Sequence, residues 1–286
     1  METPISAASE IAIGSLRERA PIVFELAARF KAAGFQLALV GGPVRDLLLQ
    51  RLGNDLDFTT NARPEDTKRI LRGWADDIWD VGIKFGTIAA RKNETTIEIT
   101  TYRSESYDVD SRNPEVQFGN TIADDLRRRD FTVNAMAIEL TTSEVEFIDL
   151  FGGVTDLLKR VIRTPESPEL SFSDDPLRML RAARFAAQLD FTINPDVIEA
   201  MTTMKDRLEI ISMERVRDEF IKILMSNNPR VGITILVDTG LCDLFLPEIP
   251  QLRLEIDEHH HHKDVYEHTL TVVEQSIEGE NRLAGP

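Results

Sequence analysis

The chain has 286 residues, of which 42% are hydrophobic and 29% charged, a globular composition longer than one usual domain that predicts two or three packed units. A single cysteine, Cys242, excludes an intrachain disulfide, and no apolar run approaches the ~20 residues needed to cross a bilayer. The 33 Lys+Arg and 49 Asp+Glu leave a net charge of −16, which excludes bulk phosphate attraction as a driving force.

Residues 5 to 33 read as helical, and the N-terminus METPISAASEIAIGS lacks the charged-then-apolar order of a signal peptide, so a cytoplasmic protein is expected. Phe35 to Val40 reads as the first strand, closed by Gly41-Gly42, with Pro43 suited to the first turn of a helix that runs to Arg51. Asp55 to Thr60 reads as a second strand, Pro64 to Arg72 as a helix, and Gly86 to Arg91 and Thr95 to Tyr102 as two more strands. The polar stretch Ser104 to Asn120 predicts a long loop, after which strands resume at Phe131 to Leu140 and Val145 to Leu150.

Beyond Thr164-Pro165 the pattern turns to helices only: Asp175 to Leu189, Pro195 to Met204, Ser212 to Met225 and Pro229 to Leu236. In the third of these, Met213, Val216, Phe220, Ile223 and Leu224 recur at helical spacing and predict a core face. All five histidines fall between His259 and His268, and the sequence stops at LAGP with no domain closing there, which reads as a fragment cut inside a third unit. The expected division is 22–164, 165–250 and 251–286.

Chemistry concentrates in LALVGGPVRDLLLQRLGNDLDFTT, residues 37 to 60. A strand entering Gly41-Gly42 and then a helix start lets bare backbone approach a triphosphate, and Arg45 in the first turn can add a phosphate contact. It is not a P-loop, because the Gly-x4-Gly-Lys-Ser/Thr spacing is absent. Asp55 and Asp57, two apart on a strand, share a face and can hold two Mg²⁺ ions, one activating a hydroxyl and one stabilising leaving pyrophosphate. Glu98 is the best third carboxylate, sharing the polar face of its strand with Thr96 and Thr100.

Local basic clusters have to supply any nucleic-acid affinity: Arg45 and Arg51; Arg127, Arg128 and Arg129; Arg178, Arg181 and Arg184. In DDLRRRDFTVNAMAIE, Asp130 can accept from a ribose 2′-OH, Arg129 can take a phosphate and Asn134 can orient either group. In SFSDDPLRMLRAARF, Asp175 and Arg178 stand at i,i+3, a spacing that puts them on one helix face, and Arg181 continues the row. The plain alternatives are a salt-bridged helix end in the first stretch and structural ion pairs in the second.

GGPVRD followed by DLDFTT resembles the active-site signature of class II tRNA nucleotidyltransferases, the family of CCA-adding enzymes and bacterial poly(A) polymerases. The stretches at 124–139 and 171–185 resemble that family's Arg-Arg-Asp-x3-Asn and Glu-Asp-x-x-Arg elements in the same order, with Asp174 in place of the glutamate. The resemblance implies an α/β nucleotidyltransferase head, a mixed sheet with helices, followed by an all-α neck and body. It further implies Mg²⁺ on Asp55, Asp57 and Glu98, and nucleotide contacts from Gly41, Gly42, Arg45, Arg129, Asp130, Asn134, Asp175, Arg178 and Arg181. The activity it implies is addition of C, C and A to a tRNA 3′ end from CTP and ATP, with poly(A) polymerase as the alternative that shares every motif. The lack of a strongly basic extension favours CCA addition.

HHHHKDVYEHTL, residues 259 to 270, resembles the entry to an HD-type domain. A metal-dependent phosphohydrolase there needs a His-Asp dipeptide, and the chain contains none. A non-catalytic RNA-binding module is disfavoured by the intact carboxylates at Asp55, Asp57 and Glu98.

Overall fold

The structure is a computed structural model that describes residues 4–80, 86–106, 115–118, 121–254 and 265–284. It divides into two compact units, Met1–Lys159 and Arg160–Pro286. His259 to His262 and the tip of the expected loop, 107–114, lie outside the described residues.

The first unit runs α1 (Pro4–Arg19), α2 (Ile22–Ala32), β1 (Leu37–Val40), α3 (Gly42–Leu48), β2 (Asp55–Thr60), α4 (Pro64–Leu71), β3 (Asp77–Trp79), β4 (Thr87–Lys92), β5 (Thr95–Thr101), β6 (Arg103–Ser106), β7 (Glu115–Phe118), α5 (Ile122–Arg127), β8 (Met136–Glu139), β9 (Glu146–Asp149) and α6 (Gly153–Lys159). Among the described residues seven strands form one sheet in the order β3-β4-β5-β2-β1-β8-β9. The sheet is mixed: β2 pairs with β5 in parallel, and its other pairings are antiparallel.

β1 is buried along its whole length, as a central apolar strand must be, whereas β2 alternates at its start, exposing Asp55 and Asp57 and burying Leu56 and Phe58. Leu56, Phe58, Ile88, Ala90, Ile97 and Ile99 face the core with Leu26 and Phe30 of α2 and Ile70 and Leu71 of α4. One sheet face is thus sealed by helices, and the carboxylates stand on the other.

Three expectations for this unit need correction. The helix expected over 5–33 breaks at Ala20-Pro21, because proline disfavours the helical conformation in the residue before it. Phe131 to Ala135 is not strand: Thr132–Asn134 is a 3₁₀ turn, and β8 begins only at Met136. The long loop contains an antiparallel ribbon, β6 with β7, in which Arg103 pairs with Phe118 and Ser106 with Glu115. The short edge strand β3 and the helices α5 and α6 were not anticipated.

The second unit contains β10 (Val161–Ile162), α7 (Pro168–Asp174), α8 (Leu177–Leu189), β11 (Thr192–Ile193), α9 (Pro195–Thr203), α10 (Met213–Leu224), α11 (Pro229–Asp238), α12 (Glu248–Gln251) and α13 (Val265–Ala284). Among the described residues its regular structure is helical except for a two-residue parallel pairing of β10 with β11. Ser167 and Asn194 cap α7 and α9 by accepting from Leu170 and Asp196 backbone N–H groups. On α10 Val216 and Ile223 are buried, but Met213 is exposed and Glu219 occupies the buried face, drawn in by arginines of α8.

Candidate active site

Gly41 joins β1 to α3 with φ +75° and ψ −139°, a conformation that favours glycine. A Cβ built there would stand 2.8 Å from Arg129 Nη1 and 3.9 Å from Asp57 Oδ2, so a guanidinium and a carboxylate converge over this one residue. The Gly41 N–H donates to the Met136 carbonyl at 3.4 Å, so it is not the open phosphate donor that the sequence suggested. Gly42 opens α3, where first-turn N–H groups have no intrahelical acceptor.

Asp57 pairs in register with Glu98 across the parallel β2 and β5 strands, and Asp55 with Thr96. Paired residues project to the same side, so Asp55, Asp57 and Glu98 form one acidic face. The Asp57 side chain keeps an exposed edge, yet protein crowds it on most sides. Burial raises its pKa to about 6, Arg129 opposes the rise, and Glu98 and Asp55 add to it. A divalent cation suits this set chemically, since it would offset the mutual repulsion of the three carboxylates, which adds to the rise that burial causes. Among the described residues no three acidic, histidine or cysteine side chains already stand together as a metal cage.

Beside the carboxylates runs a buried polar chain. Arg45 donates from Nη1 to Asn134 Oδ1 at 2.7 Å, and Asn134 donates from Nδ2 to Asp130 Oδ1 at 3.0 Å. Asp130 Oδ1 also accepts the Phe131 N–H at 2.8 Å, which fixes the carboxylate to the turn that carries Asn134. Arg45 is buried and further held by Asp46, which also pairs with Arg51. It acts in this structure as a strut rather than an outward phosphate contact.

The arginines of the second basic cluster are organised by a residue the sequence reading missed. Asp125, fully buried, accepts from Arg128 Nη2 at 3.0 Å and from Arg129 Nη2 at 3.1 Å. Burial would raise its pKa, but the two arginines overcome that and hold it below the ordinary carboxylate range. The signal was present in DDLRRRD: an acid three and four residues before two arginines meets both on one helical turn. Asp149 was missed as well; its two oxygens accept from the Gly153 and Val154 N–H groups and anchor α6.

The second unit carries Asp175, Arg178 and Arg181, and here the expected helix face is corrected. Asp175 lies between α7 and α8 in extended conformation, φ −144° and ψ 102°, as a residue before proline should. Its Oδ1 accepts from the Leu177 N–H at 3.1 Å and its Oδ2 from Arg215 at 3.0 Å. Arg178, buried in the first turn of α8, donates to Ser171 Oγ at 3.0 Å and to the Ser171 carbonyl at 3.3 Å. Arg181 approaches Glu219 at 3.9 Å, Arg184 pairs with the same acid at 3.2 Å, and both guanidinium groups lie over the Phe185 ring. No helix of the described residues is long and apolar enough to cross a membrane.

Comparison with known proteins agrees with this arrangement. Residues 37–163 match the poly A polymerase head domain, and residues 190–252 match the probable RNA and SrmB-binding site of polymerase A. The chain is 41% identical to a CCA-adding enzyme of Streptococcus gordonii over 231 residues, covering 80% of this chain and 56% of that protein. It is 40% identical to one from Enterococcus faecalis over 234 residues, covering 82% and 55%. The fold is similar to the Bacillus stearothermophilus CCA-adding enzyme in complex with CTP, with TM-score 0.71, 34% identity, and 84% of this chain and 57% of that one covered. It is also similar to the Thermotoga maritima CCA-adding enzyme complexed with tRNA, with TM-score 0.70, 30% identity and coverage of 84% and 56%. The chain spans little more than half the length of these relatives. With both matched segments falling in order on its two units, the chain belongs to the tRNA nucleotidyltransferase and poly(A) polymerase family.

Proposed function

We propose that this chain is the catalytic portion of a CCA-adding enzyme, transferring C, C and A from CTP and ATP to the 3′ end of tRNA in the cytoplasm. The observation that carries the reading is the acidic row Asp57–Glu98 with Asp55 beside it, set against Arg129 over Gly41. The division 22–164, 165–250 and 251–286 then corresponds to a catalytic head, a nucleotide- and RNA-binding neck, and the start of a further helical domain.

In this mechanism Asp55, Asp57 and Glu98 are the residues that would hold Mg²⁺. Bound there, Mg²⁺ would lower the pKa of the RNA 3′-hydroxyl and neutralise charge on the triphosphate as pyrophosphate leaves. Arg129, whose guanidinium lies over Gly41 close to Asp57, binds a phosphate oxygen. Asp130, pinned by Asn134 and Phe131 N–H, accepts from the ribose 2′-hydroxyl and so selects ribonucleotides. Asp175 and Arg178 set base choice: cytosine and adenine each present an amino donor beside an unprotonated ring nitrogen, whereas uracil and guanine reverse both groups. Asp175 would have to exchange Arg215 for the base, and Arg178 to exchange Ser171.

Incubation with tRNA lacking its 3′ CCA and each labelled nucleotide in turn tests the reading. Incorporation of C, C, then A, followed by a stop, is expected; a run of A identifies a poly(A) polymerase instead.

A further inference from the structure

We propose that Trp79 is a stacking platform for the single-stranded 3′ end of the RNA primer, an inference that rests on the nucleotidyltransferase reading above. Trp79 pairs with Ala89, Ala89 with Glu98, and Glu98 with Asp57, so the four residues form one row across β3, β4, β5 and β2. Directly paired residues project to the same face, which puts the indole on the face that carries the carboxylates. At ~4.8 Å between strands, Trp79 stands roughly 10 Å from Glu98 and roughly 14 Å from Asp57. Only the methyl of Ala89 separates the indole from Glu98 along that row.

Trp79 is 39% exposed at the sheet edge, so an aromatic face is open to solvent there. Trp74, by contrast, is buried and donates Nε1 to Glu25, as a core indole does. At the sheet edge Trp79 joins Lys68, Arg72, Ile78 and Asp80 in lining a cavity of about 340 Å³. Lys68 is paired with Asp80, while the Arg72 guanidinium makes no ion pair among the described residues. An exposed aromatic face beside a cation is the chemistry by which proteins hold unpaired nucleotides.

Charge explains why such a contact suits this chain. At a net −16 the protein repels RNA at long range, and many of its arginines are tied to internal acids. Stacking on a neutral ring needs no counterion release, so it can retain a primer end where Coulomb attraction does not. A primer reacting at Asp55 and Asp57 would cross the open row toward β3 and lay an upstream base on Trp79.

The test uses the 286-residue chain with an RNA oligonucleotide ending in CC. Trp79→Ala is expected to raise the KM for the primer roughly tenfold or more, with the KM for ATP unchanged, while Trp79→Phe keeps most of the wild-type value. The primer is also expected to quench the fluorescence component that wild type has and Trp79→Phe lacks, and ATP or CTP alone is expected not to. An unchanged primer KM in Trp79→Ala, or an equal quench by nucleotide alone, overturns the platform while leaving the nucleotidyltransferase reading intact. If wild type transfers no nucleotide, that reading fails, and the quench still decides whether RNA reaches the indole. An unchanged melting temperature excludes loss of fold as the cause.

Discussion

Arg45 Nη1 reaches Asn134 Oδ1 at 2.7 Å across 89 residues of sequence, and the amide of Asn134 passes that constraint on to Asp130. Asn134→Ala removes the shared partner and leaves a buried guanidinium and a carboxylate each short of a hydrogen bond. The expected cost is roughly 1–3 kcal/mol of stability, read from denaturant unfolding. Discrimination between ATP and dATP is expected to fall with it, and an unchanged ratio would separate Asp130 from ribose selection.

Removing a carboxylate from the exposed acidic row should leave the fold alone. Asp55→Ala or Asp57→Ala is expected to reduce transfer by roughly a thousandfold or more, with cooperative thermal unfolding retained. Loss of the cooperative transition would instead make these acids structural.

Asp125 is the opposite case, buried and paired with two arginines. Asp125→Ala is expected to destabilise by roughly 1–3 kcal/mol, because it leaves two half-buried guanidinium groups without their acid. Its pH dependence has a definite sign. A carboxyl held below its ordinary pKa in the folded state contributes stability that is complete above that ordinary value and disappears as the pH falls through the folded pKa. Urea unfolding of wild type and Asp125→Ala should therefore differ most above about pH 4 and converge in stronger acid.

Gly153 has no room for a methyl group, because its Cβ would overlap the Thr132 carbonyl oxygen and press on Met136. Gly153→Ala is expected to cost roughly 1–3 kcal/mol and to disturb the 132–134 turn that carries Asn134. Thermal melting gives the first effect and the KM for ATP the second. A variant with wild-type values for both would mean that α6 shifts freely.

For base choice, single-nucleotide addition by Asp175→Ala and Arg178→Ala is to be measured with all four nucleotides. Relative use of UTP and GTP is expected to rise roughly tenfold or more as total activity falls. A reduced rate with unchanged preference for C and A would mean that these residues only hold α8 in place. Asp175→Ala also removes the cap on Leu177 N–H, a loss of about 0.5–2 kcal/mol that a melt should reveal separately.

Much of the head was legible because its signals are local. Asp55–Thr60 opens on an Asp-Leu-Asp-Phe alternation that marks it as a strand, and the strand, Gly-Gly and proline order located α3 to within a few residues. What failed did so for identifiable reasons. Asp175 precedes Pro176, a restriction that outweighs the helical i,i+3 pattern, and Ala20 before Pro21 repeats the case. Pairing of β6 with β7 was hidden because a ribbon's partner cannot be read from polarity alone, although Glu115–Phe118 alternates. The role of Asp125 and the inward turn of Arg45 depend on which long side chain finds which acid, and that is settled by packing.

The parallel pairing of β2 with β5 also governs when the site exists. Asp57 and Glu98 are neighbours only after two strands 41 residues apart in sequence have closed on each other, with β4 already between them in sequence and beside β5 in space. Such closure carries a loop-entropy cost before any contact rewards it, and two like charges placed opposite each other add to the barrier. A nascent or partly folded chain therefore presents scattered acids and no single acidic face, so the chemistry proposed for that face is confined to molecules that have finished folding.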